Sequence, residues 1–86
     1  MLESQIKKIC TRQLEAWGWE VVHLIQTNKN GIPDTLILRN GRVAFIEFKR
    51  PGKNPEPLQQ YRHEKLRKQG FIVSIVRSTE DIRQYE

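Results

Sequence analysis

The run Asp34-Thr35-Leu36-Ile37-Leu38-Arg39-Asn40-Gly41-Arg42-Val43-Ala44-Phe45-Ile46-Glu47-Phe48-Lys49 sets the architecture of the chain. Asn40-Gly41 is a strong two-residue hairpin signal, because both turn positions need a positive φ that Asn and Gly tolerate. The residues on either side are rich in β-branched and aromatic types, so the reading is two antiparallel strands, Asp34 to Arg39 and Arg42 to Lys49. Counting outward from the turn pairs Arg39 with Arg42 and, stepwise, Asp34 with Glu47. Side chains alternate along a strand, so Val43, Phe45, Glu47 and Lys49 share one face while Ala44, Ile46 and Phe48 share the other. Directly opposed residues have Cβ atoms roughly 5 Å apart, a separation at which two carboxylates repel unless a cation lies between them.

Working outward, Leu2, Ile6, Ile9, Cys10, Leu14 and Trp17 recur at three- and four-residue intervals and predict a helix from Leu2 to Trp17, stopped by Gly18. Trp19 to Gln26 reads as a first strand. After Lys49 the prolines and glycine of Arg50-Pro51-Gly52-Lys53-Asn54-Pro55 force a loop, since Pro has no amide to donate to a ladder. Pro57 suits the first turn of a second helix that ends at Gly70. Phe71 to Arg77 reads as a fourth strand, and Ser78 with Asp81 resembles a capping box for a short last helix, Thr79 to Tyr85. The order is α-β-β-β-α-β-α: an α/β (α+β) fold in which a crossing helix lets strands three and four run parallel in a mixed sheet flanked by helices.

With 86 residues and no linker or repeat, the expectation is one domain over 1–86. No stretch approaches the about 20 apolar residues of a membrane span, and nothing resembles a signal peptide, so the expected location is intracellular, in a cytoplasm. The lone Cys10 has no disulfide partner and suits a buried position. Fifteen Lys and Arg against ten Asp and Glu give a formal charge of +5 and a pI near 9.7, which favours a polyanionic partner.

The opposed Asp34 and Glu47 suit Mg²⁺, which takes one or two carboxylates and completes its shell with water and phosphate oxygens. Lys49, beside Glu47, can stabilise charge developing on a phosphate or hold an attacking water. Glu3 falls within the helical stripe, either as a carboxylate favoured by the helix dipole or as a metal- or water-positioning group. Lys29, Arg50, Lys53, Arg62 and Lys65 are the candidate phosphate contacts. His23 and His63 read as ordinary packing or surface residues.

Taken in order, Gly31-Ile32-Pro33-Asp34, Phe45-Ile46-Glu47-Phe48-Lys49 and Gln59 resemble the PD-(D/E)XK nuclease superfamily and, within it, the VRR-NUC family of virus-type replication and repair nucleases. The resemblance covers nearly the whole chain, from Glu3 to Gly70-Phe71. It implies a restriction-endonuclease-like core and phosphodiester hydrolysis at a Mg²⁺ or Mn²⁺ centre. Asp34, Glu47 and the backbone carbonyl of Phe48 are then ligands, with Glu3 as a further acid. Lys49 is the catalytic lysine, and Gln59 supports the site from the next helix. By the same resemblance the expected substrate is branched DNA such as a Holliday junction, in replication, repair or recombination. A homodimer is expected because two centres related by a two-fold axis match a symmetric substrate, with Trp17, Trp19 and Ile25 as candidate contacts. Two other readings predict different behaviour: a non-catalytic basic nucleic-acid-binding module, and a structural protein whose acids pair with nearby lysines.

Overall fold

The computed structural model describes all residues, Met1–Glu86. Its elements are α1 (Glu3–Ala16), β1 (Glu20–His23), β2 (Thr35–Arg39), β3 (Arg42–Phe48), α2 (Pro57–Lys68), β4 (Ile72–Val76) and a 3-10 helix, Thr79–Tyr85. The strands lie in the order β1-β2-β3-β4, antiparallel for the first two pairings and parallel between β3 and β4. Asn40 and Gly41 both take positive φ, 51° and 78°, and the turn gives the register Arg39 to Arg42 through Thr35 to Ile46. One further step places Asp34 opposite Glu47.

The two faces of the sheet are covered differently. Ile6, Cys10 and Leu14, spaced four apart on α1, pack with Ile37, Ala44, Ile46, Phe48, Val76, Ile82 and Tyr85 into the hydrophobic core. Helix α2 contributes nothing to that cluster. It lies against the other face, where its one buried residue, His63, meets Glu47. Both long helices begin with a glutamine at the third helical position. Gln5 Oε1 accepts the Leu2 N–H and Gln59 Oε1 accepts the Glu56 N–H, each at 2.8 Å, satisfying a backbone donor that a helix start leaves free.

Several expectations from sequence are corrected. The first strand stops at His23 instead of Gln26. Leu24 N–H still donates to the Asp34 carbonyl at 2.8 Å, and beyond it Ile25 swings out to 94% exposure. Phe71 closes the end of α2 through its N–H to Leu66 and so does not open β4, while the Arg77 N–H leaves the ladder for Asp81 Oδ2. That bond also replaces the expected Ser78 cap, since Ser78 makes no side-chain cap and the final helix is 3-10.

The tryptophans face inward. Trp19 is buried, its indole N–H donates to the Tyr85 carbonyl at 2.8 Å, and the two rings meet edge to face at 5.5 Å. Trp17 packs against the core as well, and Arg39 bonds its carbonyl while lying 4.3 Å over the Trp19 ring. Of the residues that the sequence suggested as subunit contacts, Trp19 is buried, Trp17 is half-buried and Ile25 is exposed. No helix is long and apolar enough to cross a membrane.

Candidate active site

Asp34 is delivered by a loop braced against α2. Gly31 has φ +85°, and a Cβ there would lie 2.7 Å from the Leu58 carbonyl oxygen, so only glycine permits this approach. Arg62 Nε donates to the Asn30 carbonyl at 3.1 Å, and buried Pro33 fixes the backbone leading into Asp34. The Asp34 carboxylate then has one donor on each oxygen. Thr35 Oγ1 donates to Oδ1 at 2.8 Å, and the Phe48 N–H on β3 donates to Oδ2 at 3.3 Å.

Glu47 is 4% exposed and His63 is 1% exposed. Their nearest atoms, Glu47 Oε1 and His63 Nε2, are 3.7 Å apart, and neither has a hydrogen-bond partner. Buried polar atoms without partners are uncommon in folded proteins because each one costs its hydration. Burial, and then the negative charge of Glu47, raise the Asp34 carboxyl from 3.8 to about 6, against the opposing pull of Thr35, Lys7 and the Phe48 N–H. Two carboxylates on one face, mutually repulsive and with one oxygen unpartnered, are chemically suited to a hard divalent cation. The donor set fits a metal that completes its shell with water and substrate.

Lys49 follows Glu47 by two residues on the same face. Its amide bonds to the Val76 carbonyl at 3.0 Å, so the parallel β3–β4 ladder holds it even though β3 itself ends at Phe48. Glu3 does not lie on the buried stripe that the sequence suggested. It is exposed in the first turn of α1, because the burial of that helix begins only at Ile6, and no cluster of three or more metal-ligating side chains forms around the pair. Gln59 sits one turn before His63 on α2, and its Oε1 is committed to capping that helix.

The basic residues divide by what their side chains do. Lys29, Arg50, Lys53 and Lys65 are exposed. Arg62 is half-buried and braces the loop that carries Asp34, a structural task not visible in its charge. Arg77, absent from the sequence-based set, donates to the Lys53 carbonyl from Nε and Nη2 at 3.1 and 2.9 Å and to Asn54 Oδ1 at 3.0 Å. It thereby holds the loop that carries Lys53.

Four residues near the carboxylates escaped sequence reasoning: His63, Thr35, His23 and Lys7. For His63 a signal existed, since it falls four residues after Gln59 and three before Leu66 on one helical face. For Thr35 the signal was a hydroxyl at a core-facing position of β2. Lys7 and His23 had none, because Lys7 comes into range only through the packing of α1 and His23 only through the pairing of β1 with β2.

Comparison with known proteins identifies the class to which this arrangement belongs. A family model described as the VRR-NUC domain matches residues 1–80, and the chain belongs to that family of nucleases. It is 31% identical over 77 residues to the candidate nuclease p44 of Acyrthosiphon pisum secondary endosymbiont phage 1, an alignment covering 88% of this chain and 83% of that protein. A solved structure of a VRR-NUC domain superposes with a TM-score of 0.84 at 32% identity, covering 95% of this chain and 90% of the other. The mixed four-stranded sheet with its three helices is therefore the fold of that family.

Proposed function

We propose that the chain is a metal-dependent deoxyribonuclease whose Asp34 and Glu47 hold Mg²⁺ or Mn²⁺ and whose Lys49 is the catalytic lysine. The observation that carries this reading is the unpartnered Glu47 oxygen, buried opposite a carboxyl whose charge is already disfavoured. A structural acid in this setting would be paired. When bound, the ion supplies charge neutralisation for the scissile phosphate and activation of the attacking water. Lys49 places an ammonium on the same face, where it can stabilise negative charge on the phosphate oxygens. The Phe48 carbonyl is a candidate third ligand from the chain, and Glu3, on the helical face that carries Lys7 one turn later, is a candidate for positioning water.

The proposed substrate is branched DNA, cut structure-selectively by a homodimer inside the cell during replication, repair or recombination. A domain this small has little surface for reading base sequence, since specific interfaces bury roughly 1,000 Å² or more. A two-fold dimer brings two centres to a symmetric junction. Lys29, Arg50, Lys53 and Lys65 supply phosphate contacts without sequence information.

The test is a cleavage panel of single-stranded, duplex, flap and four-way DNA with Mg²⁺ and with Mn²⁺, run on the wild type and on Asp34→Ala, Glu47→Ala and Lys49→Ala. Metal-dependent cutting, strongest on four-way DNA and lost in all three variants, is the expected result. Binding without cleavage under every divalent ion makes the chain a basic nucleic-acid-binding module instead. Light scattering on the same samples decides the oligomeric state.

A further inference from the structure

We propose that Thr35 is a positioning residue of this centre, orienting the Asp34 carboxylate through a hydrogen-bond chain that begins at His23. The inference rests on the metal-centre reading above and adds two residues to it. His23 and Thr35 are direct partners in the antiparallel β1–β2 ladder. Their side chains meet as well, with His23 Nδ1 3.1 Å from Thr35 Oγ1 and Thr35 Oγ1 2.8 Å from Asp34 Oδ1.

Donor and acceptor inventory fixes the direction of the chain. A threonine hydroxyl has one proton to give, and an ionised carboxylate can only accept. The Thr35 proton therefore goes to Asp34. The hydroxyl oxygen must then accept from His23, which requires the His23 proton on Nδ1. With Phe48 N–H on the other oxygen, Asp34 is held by one donor from β2 and one from β3. Each carboxylate oxygen keeps a second lone pair free for a cation.

A core role alone does not account for Thr35. The residue is fully buried, directly opposite Ile46 in the β2–β3 ladder and two positions before Ile37. At such a position valine has nearly the same shape and no hydroxyl to desolvate, and a buried hydroxyl is costly unless bonded. Both bonds that Thr35 makes belong to the chain ending at Asp34. Partners of this kind, which orient a ligand without touching the metal, typically change metal affinity by about 10–100-fold when removed.

The experiment combines ¹⁵N NMR of the His23 imidazole with Mn²⁺ calorimetry on the wild type, Thr35→Val and Thr35→Ser, each checked for folding by its amide spectrum. Expected are an Nδ1–H tautomer in the wild type and its loss in Thr35→Val. Mn²⁺ affinity should fall about 10–100-fold in Thr35→Val and return towards wild type in Thr35→Ser, which restores the hydroxyl. The NMR arm on the wild type needs no variant, so it stands even if Thr35→Val does not fold. A wild-type His23 protonated only at Nε2 overturns the inference, as does Mn²⁺ binding in Thr35→Val equal to that of a binding wild type. A wild type that binds no Mn²⁺ is a different result: it removes the metal centre, and this inference with it.

Discussion

His63 Nε2 on α2 lies 3.7 Å from Glu47 Oε1 on β3, and neither atom has any other partner. The only buried residue of α2 therefore points at the acid proposed as a metal ligand, and the packing of that helix is coupled to the site. His63→Ala removes a fully buried side chain and its ion-pair-distance contact with Glu47, at an expected cost of about 0.5–3 kcal/mol. For a domain of this size that corresponds to roughly 4–8 °C of melting temperature per kcal/mol. Glu47→Gln removes the charge and keeps the shape, so it should melt at or above the wild-type temperature while losing cleavage. Thermal melts in metal-free buffer beside a cleavage assay check both, and a stability loss in Glu47→Gln as large as that in His63→Ala contradicts the coupling.

The pH dependence of stability has a definite sign at Asp34. Its carboxyl is raised in the folded chain to about 6, so the folded state holds this proton more tightly than the unfolded state does. Stability from this group is accordingly highest below pH about 4, falls as pH rises to about 6, and stays lowered above that. Asp34→Asn should therefore melt several degrees above the wild type near neutral pH without metal, the difference vanishing in acid. Adding Mg²⁺ should stabilise the wild type and leave Asp34→Asn unchanged, because only a site that binds the ion gains from it. Melting curves against pH, with and without Mg²⁺, test both halves.

Gly31→Ala places a methyl group 2.7 Å from the Leu58 carbonyl oxygen in a backbone region disfavoured for alanine. The expected cost is about 1–3 kcal/mol. Because the displaced loop carries Asp34, cleavage should fall further than the loss of folded protein explains. Activity measured well below the melting temperature of the variant, and unchanged from wild type, would show that the loop does not set the site.

Arg77 holds the Lys53–Asn54 segment from 24 residues away in sequence. Arg77→Ala should weaken DNA binding with little change in the cleavage step of bound substrate, since the carboxylates and Lys49 are untouched. Lys53→Ala should weaken binding to all DNA structures alike and lower the salt dependence by about one unit of slope. Binding titrations at several salt concentrations, beside single-turnover cleavage, separate these effects.

Much of the arrangement is written in local sequence, because each part is decided by neighbours within a few residues. The Asn40-Gly41 turn fixes the β2–β3 register, and with alternation this puts Asp34 opposite Glu47 on one face. Gly18 and Gly70 end the helices, and the proline-rich loop frees the chain for a parallel crossing. What surrounds the carboxylates is not local. His63 reaches Glu47 only because α2 lies on the face opposite the core, and His23 reaches Thr35 only because β1 pairs with β2 in one register. Glu3 shows the converse: helical spacing placed it on the apolar stripe, but burial of α1 starts one turn later at Ile6. Periodicity gives the side of a helix, and only packing decides how far along it the core extends. The sequence by itself thus determined the strand order of the hairpin and the carboxylate pair, through turn and strand geometry. The tertiary structure decided which buried groups hold that pair, because those contacts join residues that no short-range rule connects.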